Sequence, residues 1–493
     1  YGTPGVFPLE KTFTFSYGGG SIAYDSDENP VVQMVEEKTN VHVEWVPIEN
    51  DEKRNILFSS DDYPDSSGST GRWQALIGSL LAEGVIRDLN PYLGQGYTPN
   101  FDAIIKEYPG SYGYMLNPSG QLPAMPHFRM QESSFLEQNY AINRKWLDAL
   151  GLEKPTTTEE LKQVLIAFRD GDPNGNGKKD EIPLTYSGRT SQLRDTCFYG
   201  IFGAPIKEPF VIKNGKVTFA GLHPGFKAYV KYFADLYSEG LIDLEASTQT
   251  AQDLYAKIDN PNGNTIGWTA VWGNFWDIKQ YPNRSEFEPM PPPQVPGGPK
   301  PEMWLHPGFR AIKNMWFMTD KNPNPELIMA WTDLFYTLEM TVQTSFGLIG
   351  EGVEMVNGRW QAIPHPEDLE WGAKNAWPRA EGPGIRTNDD FQNRLTLDPV
   401  AQTQADVFYE YYADYVAEEQ WNRPELSADE TTESKQLQTD IFKVWHESQA
   451  RWITGKGDMD AEWDEYVKKL EGMNVARYIE IAQAAQDRFL AAG

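Results

Sequence analysis

The run DPNGNGKKDE (172–181) carries the most specific chemistry in the sequence. Asp172, Asn174 and Asn176 place side-chain oxygens at alternate positions, Gly177 permits a sharp turn, and Lys178 can offer its main-chain carbonyl. Asp180 and Glu181 add two carboxylates. Hard oxygens at loop positions 1, 3, 5, 7 and 9 around a glycine at position 6 are the ligand logic of an EF-hand calcium loop. The twelfth position departs from it: Pro183 stands where a bidentate Glu is usual, so Glu181 is expected to take that role. EIPLTY, after the loop, reads as a strand and not as a second EF-hand helix, which leaves calcium a structural task and not a sensor's. An Asn/Gly turn alone would explain the bend. It would not require three acceptors at strict alternation followed by two acids.

Other reactive spacings are missing. The sequence has no GxSxG elbow, no phosphate loop and no HExxH pair. The six histidines are scattered, and Cys197, the one cysteine, sits in DTCFYG and reads as a small buried hydrophobe. Among 71 acidic residues a glycosidase pair flanking a scissile bond remains open, so a glycan-active enzyme is the main rival to a binding protein.

Those 71 acids face 43 basic residues, for a formal net charge of −28. Such a field repels phosphate backbones and anionic lipid headgroups, which excludes nucleic acid as a natural partner. A chain of 493 residues is too long for one core, so two lobes are expected. No run approaches the ~20 apolar residues needed to span a bilayer. The first residues do not read as a signal segment, and the expectation is that one has been removed.

The elements that would hold the loop follow from pattern. Thr12–Gly20 (TFTFSY and glycines) and VHVEWVPI (41–48) alternate as strands on either side of a helix that starts near Asn29 with Pro30 in its first turn. Strand, helix, strand opens an α/β lobe. Helices are also expected over 73–83, 155–170, within 216–243, over 325–339, 400–419 and 434–455. Strands are expected over 120–128 and 308–319, NYAINRKWLDALGL (139–152) is expected to pass from strand to helix, and TIGWTAVWGNFWD (265–277) reads as a strand plus an aromatic-rich loop. Gly151 and Gly240 are helix stops, and MPPPQVPGGPKP (290–301) is an extended connection. The last third is helical.

At the calcium loop the sequence becomes familiar. KWLDALGLEKPTTTEELKQVLIAFRDGDPNGNGKKDEIPLTY (145–186) resembles the family 1 extracellular solute-binding proteins of ABC transporters, the large lipoprotein type, and is similar in plan to the calcium-containing alginate-oligosaccharide binders. SSDDYPD (59–65), SGQLPAMP (119–126), LYSEGLID (236–243), KNPNPELIMAWTDLFYT (321–337) and ITGKGDMDAEWDEYVKKLEGMNVARYIEIAQAAQDR (453–488) match family pieces in the same order. Ser119 and Leu122 replace a family acid and tyrosine, and 361–431 shows no match.

The resemblance implies a two-lobed periplasmic-binding-protein-like α/β fold with hinge and interlobe cleft. Its N-terminal lobe would comprise 1–130 and 313–375. The C-terminal lobe would comprise 131–312 and 376–493, with the calcium loop and the helical tail. It implies a monomeric substrate-binding subunit, extracytoplasmic or at the cell surface, held to the membrane by a lipid upstream of Tyr1, which gives an oligosaccharide to permease partners. Sugar faces call for aromatic platforms with polar neighbours. Trp272 matches a sugar-stacking position of the alginate binders, and Trp276 follows it. Trp73, His127, Phe128, Tyr17, Tyr24 and Trp304 lie where cleft loops or lobe crossings are expected, with Asp62, Asn274, Arg386 and Asp389 as polar candidates. A uronate ligand would need convergent arginines, for which Arg72, Arg129 and Arg386 are available. So acidic a chain points instead to a neutral oligosaccharide. Cation or peptide capture on the same scaffold is the other alternative, and an adhesin a further one.

Overall fold

A computed structural model describes residues 6–19, 28–48, 50–68, 71–136, 139–188, 195–206, 209–261, 263–276, 278–279, 281–307, 310–368, 370–377 and 382–492. The strands along the chain are β1 (Phe13–Gly19), β2 (Val41–Pro47), β3 (Ser66–Gly68), β4 (Met125–Arg129), β5 (Asn139–Asn143), β6 (Ile182–Thr185) and the hairpin β7 (Phe210–Lys213) with β8 (Lys216–Phe219). They continue with β9 (Ile266–Val271), β10 (Phe287–Met290), β11 (Ile312–Met318), the hairpin β12 (Val353–Val356) with β13 (Arg359–Ala362), and β14 (Gly384–Arg386). The chain divides into one unit of Tyr1–Gln131, Pro307–Leu397 and Asp487–Gly493 and a second of Glu132–His306 and Asp398–Gln486. The sequence boundaries put 376–397 with the second lobe; the contacts put that stretch with the first unit, because β14 joins its sheet.

In the first unit six strands run in the order β14-β4-β11-β3-β1-β2. β1 is parallel to β2 and to β3, β14 is parallel to β4, and β11 returns antiparallel between β3 and β4. The alternation of TFTFSY sends Phe15 and Tyr17 into the core. There Phe15 meets Trp331 edge-on at 5.1 Å and Tyr17 packs on Trp45 at 5.0 Å. Helix Pro30–Thr39 starts where the sequence signals it: the Asn29 side chain accepts from the backbone N–H groups of Val31 and Val32.

The stretch read as one helix over 325–339 is two, Pro325–Asp333 and Leu338–Phe346. Asp333 is fully buried and accepts from the N–H groups of Asn100 (3.1 Å) and Phe101 (2.8 Å), at the start of helix Pro99–Glu107. Thr337 then caps the second piece, accepting from Met340 N–H.

The second unit centres on four strands in the order β10-β5-β9-β6, with β6 parallel to β9 and the other pairs antiparallel. Every residue of β5 and β9 is buried, including the two asparagines that bound β5, Asn139 and Asn143. Cys197 is buried beside them, its carbonyl accepting from Tyr140 Oη at 2.7 Å. Helix Thr158–Asp170 has a full capping box, in which Thr157 Oγ1 accepts from Glu160 N–H and the Glu160 carboxylate accepts from Thr157 N–H. Thr157→Ala is expected to cost about 1 kcal/mol in urea unfolding. A variant as stable as the parent would show that Glu160 alone suffices. Past residue 398 the chain is helical, in Pro399–Tyr411, Ala428–Ile453, Met459–Gly472 and Val475–Ala492.

Candidate functional site

The loop 172–181 lies in the second unit between helix Thr158–Asp170 and β6. Asp172 (φ 47°), Gly175 (70°) and Gly177 (72°) take left-handed backbone conformations, which fold ten residues back on themselves. The Asp172 carboxylate accepts from the N–H groups of Asn176 (3.1 Å) and Gly177 (3.1 Å), and Asn176 Oδ1 accepts from Lys178 N–H at 2.7 Å. Both side-chain amides donate to Asp180, Asn174 Nδ2 at 3.0 Å and Asn176 Nδ2 at 3.0 Å, which holds that carboxyl below its usual range.

Asp172, Asp180 and Glu181 do not converge into a carboxylate cluster: among the described residues no three His, Cys, Asp or Glu side chains meet in metal-binding geometry. One atom nevertheless lacks a partner. Glu181 Oε1 is buried without a hydrogen bond, and burial, with the like charges of Asp180 and Asp172, lifts this carboxyl above its usual range. A buried carboxylate oxygen beside two other acids is a donor that a hard cation satisfies. The residue types present, carboxylates and amide oxygens with a main-chain carbonyl, fit what calcium takes.

The aromatic candidates separate by burial. Trp272 is half-buried and directly follows β9. Trp276, four residues on, is only 7 % exposed and packs edge-on against Phe275 at 5.1 Å, so it is core and not platform. Beside them Arg284 forms a two-point ion pair with Asp259 (3.1 and 2.8 Å) and lies over the Tyr281 ring at 3.6 Å. Trp304 is buried too: its Nε1 donates to the Trp421 carbonyl at 3.1 Å, because β-bridge pairing of 303 with 416 draws this segment inward. Asn274 lies in the short turn Gly273–Trp276, and its side chain is outside the described residues, like that of Trp73. A pocket of about 270 Å³ in the same unit, lined by Tyr186, Asp243, His446 and Gln449, includes none of the sequence-predicted residues.

In the first unit Phe128 is wholly buried between Phe101 and Tyr336, both at 5.9 Å, and Tyr17 belongs to the same core. Both were expected to line a ligand site; the inward face of the sheet takes them instead. Asp62 is exposed, as is Asp389, which accepts from Asn393 Nδ2 at 2.8 Å. Tyr24 lies outside the described residues.

His127 and Arg386 do come together. The register of β4 with β14 sets Gly384 beside His127 and Arg386 beside Arg129. His127 Nδ1 donates to the Gly382 carbonyl at 2.8 Å, and its Nε2 faces Arg386 Nη2 at 3.4 Å. Burial, then the Arg386 charge, pushes the imidazole pKa down to about 3, so the ring is neutral. Gly384 is what sequence reasoning missed: a Cβ there would lie 3.2 Å from two atoms of the His127 ring and from Thr341 Cγ2. Its signal was a glycine in an otherwise unremarkable three-residue strand, with no local hint of its partner.

No family model matches the sequence. The fructooligosaccharide ABC transporter substrate-binding protein FusA of Streptococcus pneumoniae is 28 % identical over 99 % of this chain and 92 % of its own length. Lipoprotein LipO of Bacillus subtilis is 27 % identical over 44 % of this chain and 42 % of its own. The structure of FusA in complex with kestose superposes with a TM-score of 0.72 at 26 % identity, covering 98 % of this chain and all of that one. A FusA EF-hand mutant in complex with fructo-nystose gives the same TM-score of 0.72. In fold alone, an HMO-binding, ABC-transporter-associated solute-binding protein of Bifidobacterium longum infantis reaches a TM-score of 0.79 at 21 % identity, over 97 % of this chain and 99 % of that one. Along nearly its whole length, then, this chain is related to the extracellular solute-binding proteins of ABC sugar-uptake transporters.

Proposed function

We propose that this protein is the binding subunit of an ABC importer: it captures an oligosaccharide outside the cytoplasm and hands it unchanged to a permease. The observation that carries the reading is the match to FusA, which spans nearly the whole chain in sequence and in fold. Trp272 would be the platform: it is half-buried and directly follows a fully buried strand, and an indole ring there would offer a face to the C–H surface of a sugar. Among the described residues no helix is long and apolar enough to cross a membrane. Attachment through a lipid upstream of Tyr1 fits the lipoprotein nature of LipO.

Asp172, Asn174, Asn176, the Lys178 carbonyl, Asp180 and Glu181 would hold one calcium ion. Bound there, calcium supplies positive charge that offsets the loop's acids. That role is structural, because the loop contributes no residue to the aromatic turn after β9.

A thermal-shift screen against oligosaccharides, with chromatography of each mixture, tests the function. Binding to the folded form raises the melting temperature by mass action. A shift with intact sugar supports the reading; sugar cleavage would make the protein an enzyme, and no shift with any glycan would overturn oligosaccharide capture. Trp272→Ala is expected to weaken binding by about 1–3 kcal/mol in calorimetric titration, the range for an aromatic stacking platform. Unchanged affinity would place the platform elsewhere.

A further inference from the structure

We propose that Arg386, with Arg129 beside it, forms an anion-recognition subsite, so that the captured oligosaccharide carries a negatively charged group, a carboxylate or a sulfate ester. This rests on the oligosaccharide-binding reading and assigns the ligand's charge class.

The two arginines are paired residues of adjacent parallel strands, and so lie side by side on one face of the sheet. Like charges placed opposite one another on a sheet are destabilising unless something offsets them. No acid is described against Arg386, whose guanidinium lies over the Phe391 ring at 5.8 Å. Its Nε is buried without a hydrogen bond, and its one described side-chain hydrogen-bond partner is the neutral His127 ring, at 3.4 Å. The neighbouring acids are engaged elsewhere: Asp390 bonds Arg394 at 2.9 Å and Thr387 at 2.8 Å, and Asp389 holds Asn393. Burial and the Arg129 charge bring the Arg386 pKa down to about 10, low for a guanidinium.

His127 cannot act as the missing counter-charge. Its proton sits on Nδ1, fixed by the Gly382 carbonyl, and its Nε2 is a weak acceptor for Arg386 and carries no charge. Arg129, Arg386 and Thr387 are only half-buried, so an incoming group can reach them. A guanidinium fork matches two oxygens of one planar anion, giving shorter and stronger hydrogen bonds than a sugar hydroxyl can.

The net charge of −28 does not argue against this. Exposed charges are screened beyond roughly 10 Å at ordinary ionic strength, whereas a half-buried guanidinium acts on a group in contact with it. A far field that repels anions slows their approach and leaves the local affinity in place.

Calorimetric titration of the full chain with matched glycans tests the proposal. The probes are uronate-containing oligosaccharides with their carboxyl-reduced counterparts, and sulfated oligosaccharides with their desulfated counterparts. One charged class is expected to bind, and to lose about tenfold or more in affinity when its charge is removed. Which class binds identifies the group. In Arg386→Gln that discrimination is expected to vanish, while the ligand-free variant melts no lower than the parent because a like-charge pair is gone. If Arg386→Gln does not fold, Arg129→Gln carries the same expectation of lost discrimination. Equal binding of charged and neutral partners, or discrimination retained in the folded variant, overturns the subsite and leaves oligosaccharide capture standing. Failure of every glycan overturns both.

Discussion

Chelation of calcium is expected to lower the melting temperature by roughly 10 °C. An ion present at a thousandfold excess over its dissociation constant and bound only by the folded state adds about 4 kcal/mol. In a domain of this size each kcal/mol moves the midpoint by about 2–4 °C. The physical source is the acid crowding in the loop: Asp172, Asp180 and Glu181 lie within ten residues, and the buried Glu181 oxygen has no hydrogen bond. The double variant Asp172→Ala, Glu181→Gln should melt near the chelated value and stop responding to calcium. Lys178→Ala should change neither, since only a main-chain carbonyl is asked of that position. Sugar affinity of the double variant should match the parent's, because the loop is not part of the aromatic turn. Identical melting with calcium and with chelator would sink the calcium assignment.

What could be read from the sequence was what depends on local order. The tight turn of loop 172–181 is legible because its Asn and Gly residues fall within ten positions, and Gly175 and Gly177 take the left-handed conformations such a turn needs. Helix Thr158–Asp170 is legible because its capping box is written in consecutive positions, PTTTEE. β1 and β2 are likewise legible from alternation, and β9 from a largely apolar run. Helix Asp51–Ser59 escaped notice: DEKRN has no apolar periodicity, and its start signal is a single Asn50 side chain accepting from Lys53 N–H. The break within 325–339 was also hidden. LFYT continues the apolar pattern, and the interruption comes with Asp333 bonding residues more than two hundred positions away.

The candidate site was less legible, because burial is set by long-range pairing. Phe128 and His127 are consecutive in β4, yet one is core and the other meets Arg386. That difference follows from the alternation of faces along a strand, which the sequence shows, and from the identity of the neighbouring strand, which it does not. β14 pairs with β4 across more than 250 residues, and 361–431 had no recognisable family match to suggest it. Trp276 and Trp304 were chosen by aromatic type and position. Both are instead packed, one on Phe275 and the other with its indole N–H on the Trp421 carbonyl. Trp272 differs by one structural circumstance: it is the first residue past the buried run of β9.

His127 should make the protein acid-labile in a way that one substitution exposes. In the unfolded chain the imidazole titrates near its ordinary value of 6.5, whereas in the fold it stays neutral down to about pH 3. The unfolded state therefore binds the proton first, and stability falls as pH drops through this window. The full loss is about 5 kcal/mol, reached only below pH 3, and about 3 kcal/mol of it is already gone at pH 4.5. Well above pH 6.5 the residue contributes no pH dependence, because the ring is neutral in both states. Urea unfolding at pH 7 and at pH 4.5, on the parent and on His127→Gln, isolates the effect. Gln can still donate to the Gly382 carbonyl, and every carboxylate titrates alike in both proteins, so the difference between the two slopes belongs to the imidazole. The variant should lose about 3 kcal/mol less than the parent over that interval. Equal losses would mean that the ring takes up its proton in the folded state too, and the neutral ring facing Arg386 would have to be abandoned.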